Sequence, residues 1–242
     1  MQSIWSWQGW LFGWLVRTTA AALSWVLLSR LLGSTPLTQF LLIGQIFVVS
    51  ASAAAWAVPT ATWDRWDGTF YATTITPTNY FHVLLWRTSV WCVHGIASGL
   101  LTAVILWQIF SREVARVPPF ELSVAVVASC LSAYTCALAH GAVVARWPHL
   151  RNIVLGLLTI EFSAFTGAMV PRSYWPAQVE HFAVLLPVTH ALAAFRDHLA
   201  GSSASFSMGI AKELLVAVIW LVTAQVALIL MTAGLRHNGT AD

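Results

Sequence analysis

The histidines are the residues whose chemistry first suggests a metal or haem site, because eight of them are spread along the chain. Metal-binding pairs on one helix stand at i and i+4, so that both rings reach the same ion. No two histidines of this sequence have that spacing. We therefore predict no metal site, and we interpret the histidines, including His94 in an apolar run, as structural groups bonded to neighbouring helices.

Motifs for phosphate binding and catalysis are also missing from the sequence. A phosphate-binding loop needs successive backbone N–H groups and a lysine, but the one lysine, Lys212, is followed by Glu213. The patterns G-x-S-x-G, H-E-x-x-H and C-x-x-C do not occur either. We predict that the chain is not an enzyme, binds no cofactor itself and cannot hydrolyse ATP alone.

Glu161 is the ionisable residue whose position is hardest to explain, since it lies inside the apolar run "LLTIEFSAFTG". A charge at mid-membrane costs about 2.5–3.5 kcal/mol on insertion scales. Protonation, a partner such as His94 or a watery cavity could compensate. Glu161 then either fixes helix packing or lies on a substrate path, and nearby small residues predict that it faces another helix.

The composition indicates that helices in a membrane position these residues. Of 242 residues, 58% are hydrophobic and 9% are charged, against about 25% charged in soluble domains. The net charge of +3 is scattered, which argues against a nucleic-acid partner. We predict a single all-α transmembrane domain over residues 1–242 with six spans: Trp10–Leu32, Thr38–Val58, His82–Phe110, Phe120–Val144, Ile153–Val170 and Leu214–Leu235.

The two ends of the chain should lie on one side of the membrane, because the number of spans is even. The basic residues divide equally between the two sides, so the positive-inside rule does not give the orientation. Tryptophans cluster at the beginning of the first span and just before it, at Trp5, Trp7, Trp10 and Trp14. They predict either an interfacial helix over about residues 3–12 or a tilted span with an aromatic belt.

A long segment of mixed character, residues 171–213, precedes the last span. Its apolar run "VEHFAVLLPVTHALAAF" contains Pro187, which should break a helix there. The pattern favours two short helices that enter and leave the membrane on one side, over about residues 171–211. A seventh span is the alternative.

The stretch "WDRWDGTFYATTITP", residues 63–77, concentrates charge and aromatic side chains between two apolar runs. On a helix, Trp63, Trp66 and Phe70 share one face, and Asp64, Asp67 and Tyr71 share the next. Helices that lie on lipid usually carry basic residues, so the acidic face favours docking into a groove on another protein. A short solvated loop is the alternative.

The residues of this stretch and of the later segment resemble the permease subunits of type-2 ABC exporters. The first set of matching residues is Asp64, Arg65, Gly68, Thr69, Thr76 and Pro77, and the second is Gly167, Pro171, Pro176, Pro187, Thr189 and Arg196. Two departures are Phe70 and Tyr71, where the family often has Glu, and Leu186, where it usually has Asn.

The resemblance implies a cytoplasmic coupling helix over about residues 60–76, between spans two and three. It implies that residues Trp63, Asp64, Arg65, Trp66, Asp67, Gly68, Thr69, Phe70 and Tyr71 contact an ABC ATP-binding subunit that holds ATP and Mg. Two such subunits and a second permease chain, identical or homologous, would complete an exporter. The chain would be a multi-pass protein of a bacterial cell membrane, with both termini cytoplasmic and the short helices at 171–211 extracytoplasmic.

The apolar, aromatic-rich spans favour a hydrophobic or amphipathic substrate, such as a drug-like molecule or a lipid. A polysaccharide or lipo-oligosaccharide exporter is the near alternative. A membrane enzyme or scaffold that works without an ATPase is an alternative of another class.

Overall fold

The computed structural model describes residues 8–70, 79–110, 117–202 and 204–238. All regular structure in these ranges is helical. A π-helical stretch, Gly9–Val16, runs without a break into α1 (Arg17–Leu31). The other helices are α2 (Thr35–Ala54), α3 (Ala57–Thr60), α4 (Trp63–Trp66), α5 (Tyr80–Ile109), α6 (Pro119–Arg146), α7 (Arg151–Ile160), α8 (Ala177–Ala183), α9 (Thr189–Leu199) and α10 (Ala204–Asn238). Trp5 and Trp7 lie outside the described residues.

Among the described residues, five helical stretches are long and apolar enough to cross a membrane. They are Phe12–Leu31, Thr35–Trp66, Tyr80–Ile109, Pro119–Arg146 and Ser205–Gly234. The chain therefore has the all-helical architecture of a membrane protein with several spans. The fifth predicted span, Ile153–Val170, is not confirmed, because α7 continues only as a π-helical stretch, Glu161–Phe165. Together these reach about 22 Å, less than the roughly 30 Å of a hydrocarbon core.

The core lies around α2 and α6, whose most apolar windows are 83% and 78% buried, against 28% for α1 and 22% for α10. Glycines let the inner helices approach closely. A Cβ at Gly95 of α5 would meet the Cys130 sulfur at 2.7 Å, and one at Gly99 would meet the Ser50 Cβ at 2.8 Å. The three cysteines are buried and free. The outer faces of α1 and α10 expose leucine, valine and isoleucine, as lipid-facing helices do.

The helix predicted over residues 60–76 ends at Trp66 in the structure. The N–H of Thr69 donates to the Asp64 carbonyl at 2.9 Å, and the N–H of Gly68 donates to the Arg65 carbonyl at 3.3 Å. Gly68 has a φ of +69°. These are the bonds of a Schellman motif with glycine in the left-handed region, which ends a helix. Residues 71–78, and with them Tyr71, Thr76 and Pro77, lie outside the described residues.

The segment around Pro187 is broken into two helices, as the sequence predicted. Helices α8 and α9 are separated by five residues that include Val188, whose φ is +77°. We call α8, these residues and α9 the hairpin. Its turn packs beside the middle of α10, because the indole N–H of Trp220 donates to the Leu185 carbonyl at 3.0 Å. Trp220 lies about 24 Å along α10 from its first residue.

The hairpin and the residues after α4 lie at opposite ends of the helix bundle. Arg196 of α9 contacts Phe40, near the start of α2. Residues 63–70 follow the other end of that helix. The two regions therefore belong to one bundle and are separated by the length of α2.

Candidate functional site

Residues 63–70, which we call the end segment, form the candidate site because they combine fixed charges with exposed side chains. Within the end segment, Asp64 is fixed by an ion pair and two hydrogen bonds. Its carboxylate pairs with Arg87 of α5 and accepts hydrogen bonds from the Tyr80 hydroxyl at 3.2 Å and the Thr69 hydroxyl at 3.1 Å. Asn79 caps the first turn of α5 through the Phe81 N–H at 3.0 Å, which helps to hold Tyr80 in place.

The burial of Asp64 corrects the prediction of an exposed acidic face. The side chain is only 2% exposed. A carboxylate is buried at tolerable cost when a cation and hydrogen-bond donors surround it, and here α5 supplies both. Asp64 therefore connects the end segment to α5 and offers no charge to a partner.

Arg65 connects the end segment to the last turn of α6. Its Nε donates to the Ala145 carbonyl at 2.9 Å, where a cation is favoured at a helix C-terminus. The guanidinium also lies 4.3 Å from the ring centre of Phe70. Phe70 itself is buried and packs edge-to-face against Tyr80, with ring centres 5.8 Å apart. Phe70 is therefore an internal anchor, which corrects its predicted place on a docking face.

The exposed side chains of the end segment are Trp66, Asp67 and Thr69. Trp66 is 58% exposed, and the Arg151 guanidinium stacks 3.8 Å from its ring centre. Trp63 is half-buried against the core. The predicted common face of Trp63, Trp66 and Phe70 is wrong, because the helix ends before Phe70. The exposed surface consists of Trp66, Asp67, Gly68 and Thr69.

The geometry of the end segment suits mechanical connection better than chemistry. Asp64, Arg65 and Trp66 contact α5, the end of α6 and the start of α7, respectively. A force on Trp66 or Asp67 would therefore reach three helices. Among the described residues, no group of three or more histidine, cysteine or acidic side chains could hold a metal ion.

Glu161 and His94, the two candidates in apolar runs, are not brought together. His94 packs between Trp14 and Trp91, with ring centres at 5.4 and 5.7 Å. The ionisable side chain near Glu161 is His140 of α6. His140 also packs against Trp220 of α10, with ring centres 5.5 Å apart. The suggested pair of Glu161 and His94 is therefore not formed.

Two members of the second predicted set, Gly167 and Arg196, meet at the backbone after α7. Gly167 has a φ of +91°, and its carbonyl accepts from Nη1 of Arg196 at 2.5 Å. Nη2 of Arg196 donates to the carbonyls of Phe40 at 3.0 Å and Ala168 at 3.2 Å. Arg196 thereby holds the turn after α7 against α2. Of the other four residues, Pro171 and Pro176 precede short helical turns, Pro187 precedes Val188, and Thr189 begins α9.

Glu213 of α10 is a site residue that the sequence analysis missed. Its fully buried carboxylate accepts from the backbone N–H groups of Val188 at 2.6 Å, His190 at 3.0 Å and Ala191 at 3.1 Å. It therefore caps the N-terminus of α9 from another helix. The available signal was an acid beside a long apolar run, but the predicted span began one residue later.

His190 adds a polar contact at the same turn. Its Nε2 lies 2.9 Å from the Val184 carbonyl, across the break between the two helices of the hairpin. Burial lowers the pKa of this imidazole, and the nearby cations Arg172 and Lys212 lower it further. A neutral ring must carry its proton on Nε2 to make this hydrogen bond.

No known protein family, curated protein or solved structure matches this chain. The resemblance to type-2 ABC permeases is therefore a prediction from the sequence motifs.

Proposed function

We propose that this chain is the transmembrane permease subunit of an ATP-driven exporter. It would move a hydrophobic or amphipathic substrate, drug-like or lipid, out of the cytoplasm or the inner leaflet. The observation that carries the proposal is the construction of the end segment. Exposed Trp66 and Asp67 stand on a turn that side-chain contacts join to α5, α6 and α7.

Such a connection is what an external motor requires. A partner changes the conformation of a membrane protein only through contacts that differ between two states. A flexible loop would absorb a displacement, whereas the Asp64–Arg87 and Arg65–Ala145 contacts would pass it to the helices. The partner would be an ABC ATP-binding subunit with its own ATP and Mg, in two copies, beside a second permease chain.

The proposal implies an orientation in the membrane, which the equal division of basic residues between the two sides does not give. The end segment would face the cytoplasm of a bacterial cell, with both termini on that side and the hairpin on the other. The docking surface is smaller than the predicted helix, since Asp64 and Phe70 are buried. Contact with the partner would rest on the Trp66 indole and the Asp67 carboxylate.

Export of a polysaccharide or lipo-oligosaccharide would use the same end segment and differs only in the cargo. An ATPase-independent enzyme or scaffold is the alternative of another class. Purification with no ATP-binding partner, together with full reagent access to Trp66 and Asp67 in native membranes, would favour that class.

The test is to purify the full chain from its native membranes under mild conditions and to assay ATP hydrolysis and substrate efflux. We expect an ATP-binding protein to accompany the wild-type chain. Asp67→Lys should keep expression and helicity but reduce ATP-dependent efflux strongly. Asp197 is an exposed acid on the hairpin. Asp197→Lys is the matched control and should change neither ATP hydrolysis nor efflux. Unaltered efflux in Asp67→Lys would refute the proposed contact.

A further inference from the structure

A groove of about 440 Å³ lies between the start of α1, the end of α2 and α7. Its volume falls within the roughly 300–1,000 Å³ of small-molecule sites. Trp14 and Trp56 line it with Arg17, Ser52, Asn152 and Gly156. The groove therefore has aromatic and polar walls and one cation.

Arg17 is the side chain that defines the charge of the groove. It lies within the first membrane span, Phe12–Leu31. Arginines in such segments are costly and usually pair with an acid or a polar cavity. No described Asp or Glu lines the groove, and the contact described for the Arg17 guanidinium is the Trp14 ring at 5.6 Å. An anion is the complementary occupant, and arginine binds phosphate oxygens particularly well.

Two further polar groups support an occupant with hydrogen-bonding oxygens. The hydroxyl of Ser52 is buried and has no hydrogen-bond partner among the described residues, although Ser52 lines the groove. Buried polar groups are nearly always satisfied, so this hydroxyl points to a missing partner. Asn152 is exposed at the end of the groove where α7 begins.

The groove opens toward the surface that lipid would cover. Gly156 is exposed on α7, and a Cβ built there meets nothing within 4 Å. On either side, Ile153, Leu157 and Ile160 of α7 and Phe12 and Val16 before α1 are exposed. An amphiphile in the bilayer could reach the groove laterally, whereas a free anion would have to cross an apolar border.

We propose that this groove binds an anionic phospholipid from the bilayer. The phosphate would lie against Arg17 with Ser52 and Asn152 as further donors, and the upper part of one acyl chain would run beside Gly156. From Asn152 to Thr159 the groove follows about 10 Å of α7, which is enough for a headgroup and the first carbons. The inference concerns binding alone and does not depend on the proposed transport function.

A second groove provides a comparison within the same chain. It has a volume of about 300 Å³ and lies between the C-terminal ends of α6 and α10. It also contains an arginine, Arg146, a tryptophan, Trp147, and an open glycine, Gly234. Its remaining lining residues are apolar, so it lacks the additional donors of the first groove.

The test uses the full-length protein in bilayers of zwitterionic phosphatidylcholine with a trace of photoactivatable lipid. The probe is phosphatidylglycerol or phosphatidylcholine that carries a diazirine near the start of one acyl chain. Mass spectrometry then measures the label on residues 151–160. We expect the anionic probe to label these residues roughly fivefold more than the zwitterionic probe, which is the effect of one basic residue near anionic lipid.

The variants separate a built site from ordinary surrounding lipid. Gly156→Leu should fill the groove and so remove the preference for the anionic probe. The fold should be kept, because a Cβ built at Gly156 meets nothing within 4 Å. Arg17→Gln should equalise the two probes, while Arg17→Lys should keep most of the preference. Gly234→Leu and Arg146→Gln are the controls in the second groove and should leave the labelling of 151–160 unchanged.

Three results would overturn the inference. The first is equal labelling by both probes in the wild type, which would indicate unselective lipid. The second is a preference that survives Gly156→Leu. The third is a preference that Gly234→Leu lowers as much as Gly156→Leu does. Thermal unfolding of each variant in the same bilayers confirms that the compared proteins are folded.

Discussion

Asp64 and Glu213 are both buried carboxylates, at the end segment and beside the hairpin, but they are stabilised in different ways. Asp64 pairs with the guanidinium of Arg87 on another helix. Glu213 accepts from three backbone N–H groups of the hairpin. Arg196 on the hairpin likewise donates to three backbone carbonyls and is not paired with Glu213.

The difference follows from the polar groups that each end of the bundle contains. The hairpin and the turn at Gly167 contain irregular backbone, and such backbone is tolerated at membrane depth only when its polar groups find partners. Glu213 and Arg196 supply those partners, so they serve the fold. The Asp64–Arg87 pair instead joins two side chains on separate elements, next to exposed Trp66 and Asp67. That arrangement serves a connection between an outer surface and the helices.

Replacing Glu213 should have the largest effect on stability. Glu213→Leu would leave three buried N–H groups without acceptors, and we expect a loss of about 3–5 kcal/mol in the free energy of unfolding. Glu213→Gln keeps one acceptor and should lose less. Thermal unfolding in detergent measures both, with Glu180→Leu, an exposed acid of α8, as the control. A Glu213→Leu variant as stable as the control would contradict the capping role.

Replacing Arg196 should rank second. Arg196→Met leaves the carbonyls of Gly167, Ala168 and Phe40 without their donor, which should cost about 2–3 kcal/mol. The turn after α7 should loosen, so hydrogen exchange at residues 166–170 should accelerate. Lys212→Met removes an exposed cation at the same end and should leave the exchange rates unchanged. Equal exchange in both variants would show that Arg196 does not hold the turn.

The two ends should also differ in how their charges couple. Arg87→Met should cost about 2 kcal/mol, since this side chain is partly exposed. In a double-mutant cycle, Asp64→Leu and Arg87→Met should show a coupling of about 1–3 kcal/mol. Glu213→Gln and Arg196→Lys have separate partners and should add to within about 0.5 kcal/mol. A strong coupling between Glu213 and Arg196, with none between Asp64 and Arg87, would contradict this difference between the two ends.

The smallest effect on stability belongs to Asp67→Lys. Surface substitutions away from special features usually stay within about 0.5 kcal/mol. Thermal unfolding should therefore match the wild type, whereas ATP-dependent efflux should fall. A clear loss of stability would mean that Asp67 belongs to the buried network of Asp64, and its role as a docking residue would then fail.

The sequence predicted those parts of the fold that depend on apolar length. The long spans and the break at Pro187 follow from hydrophobic windows and from the missing proline N–H. The end of α4 was missed although Gly68 is a typical residue for a helix C-terminus. The alternation of aromatic and acidic residues beyond it suggested a longer helix.

The contacts that position the candidate site depend on distant residues. Whether Asp64 is exposed is decided by Arg87 and Tyr80, which lie on another helix. Glu213 meets the hairpin only because α9 packs along α10. The turn after α7 depends on Arg196, which binds the Gly167 carbonyl from 29 residues away. Local patterns carry no information on these pairings.

The central claim is that the end segment is the contact for an ATP-binding partner, and site-directed cross-linking tests it most directly. The native cysteines are buried, so Asp67→Cys would present an accessible thiol for a maleimide cross-linker in native membranes. Ala200→Cys, exposed at the end of the hairpin, is the control. We predict that position 67 cross-links to an ATP-binding protein and that position 200 does not. A cross-link to such a protein from position 200 and not from 67, or from neither position, would contradict the account.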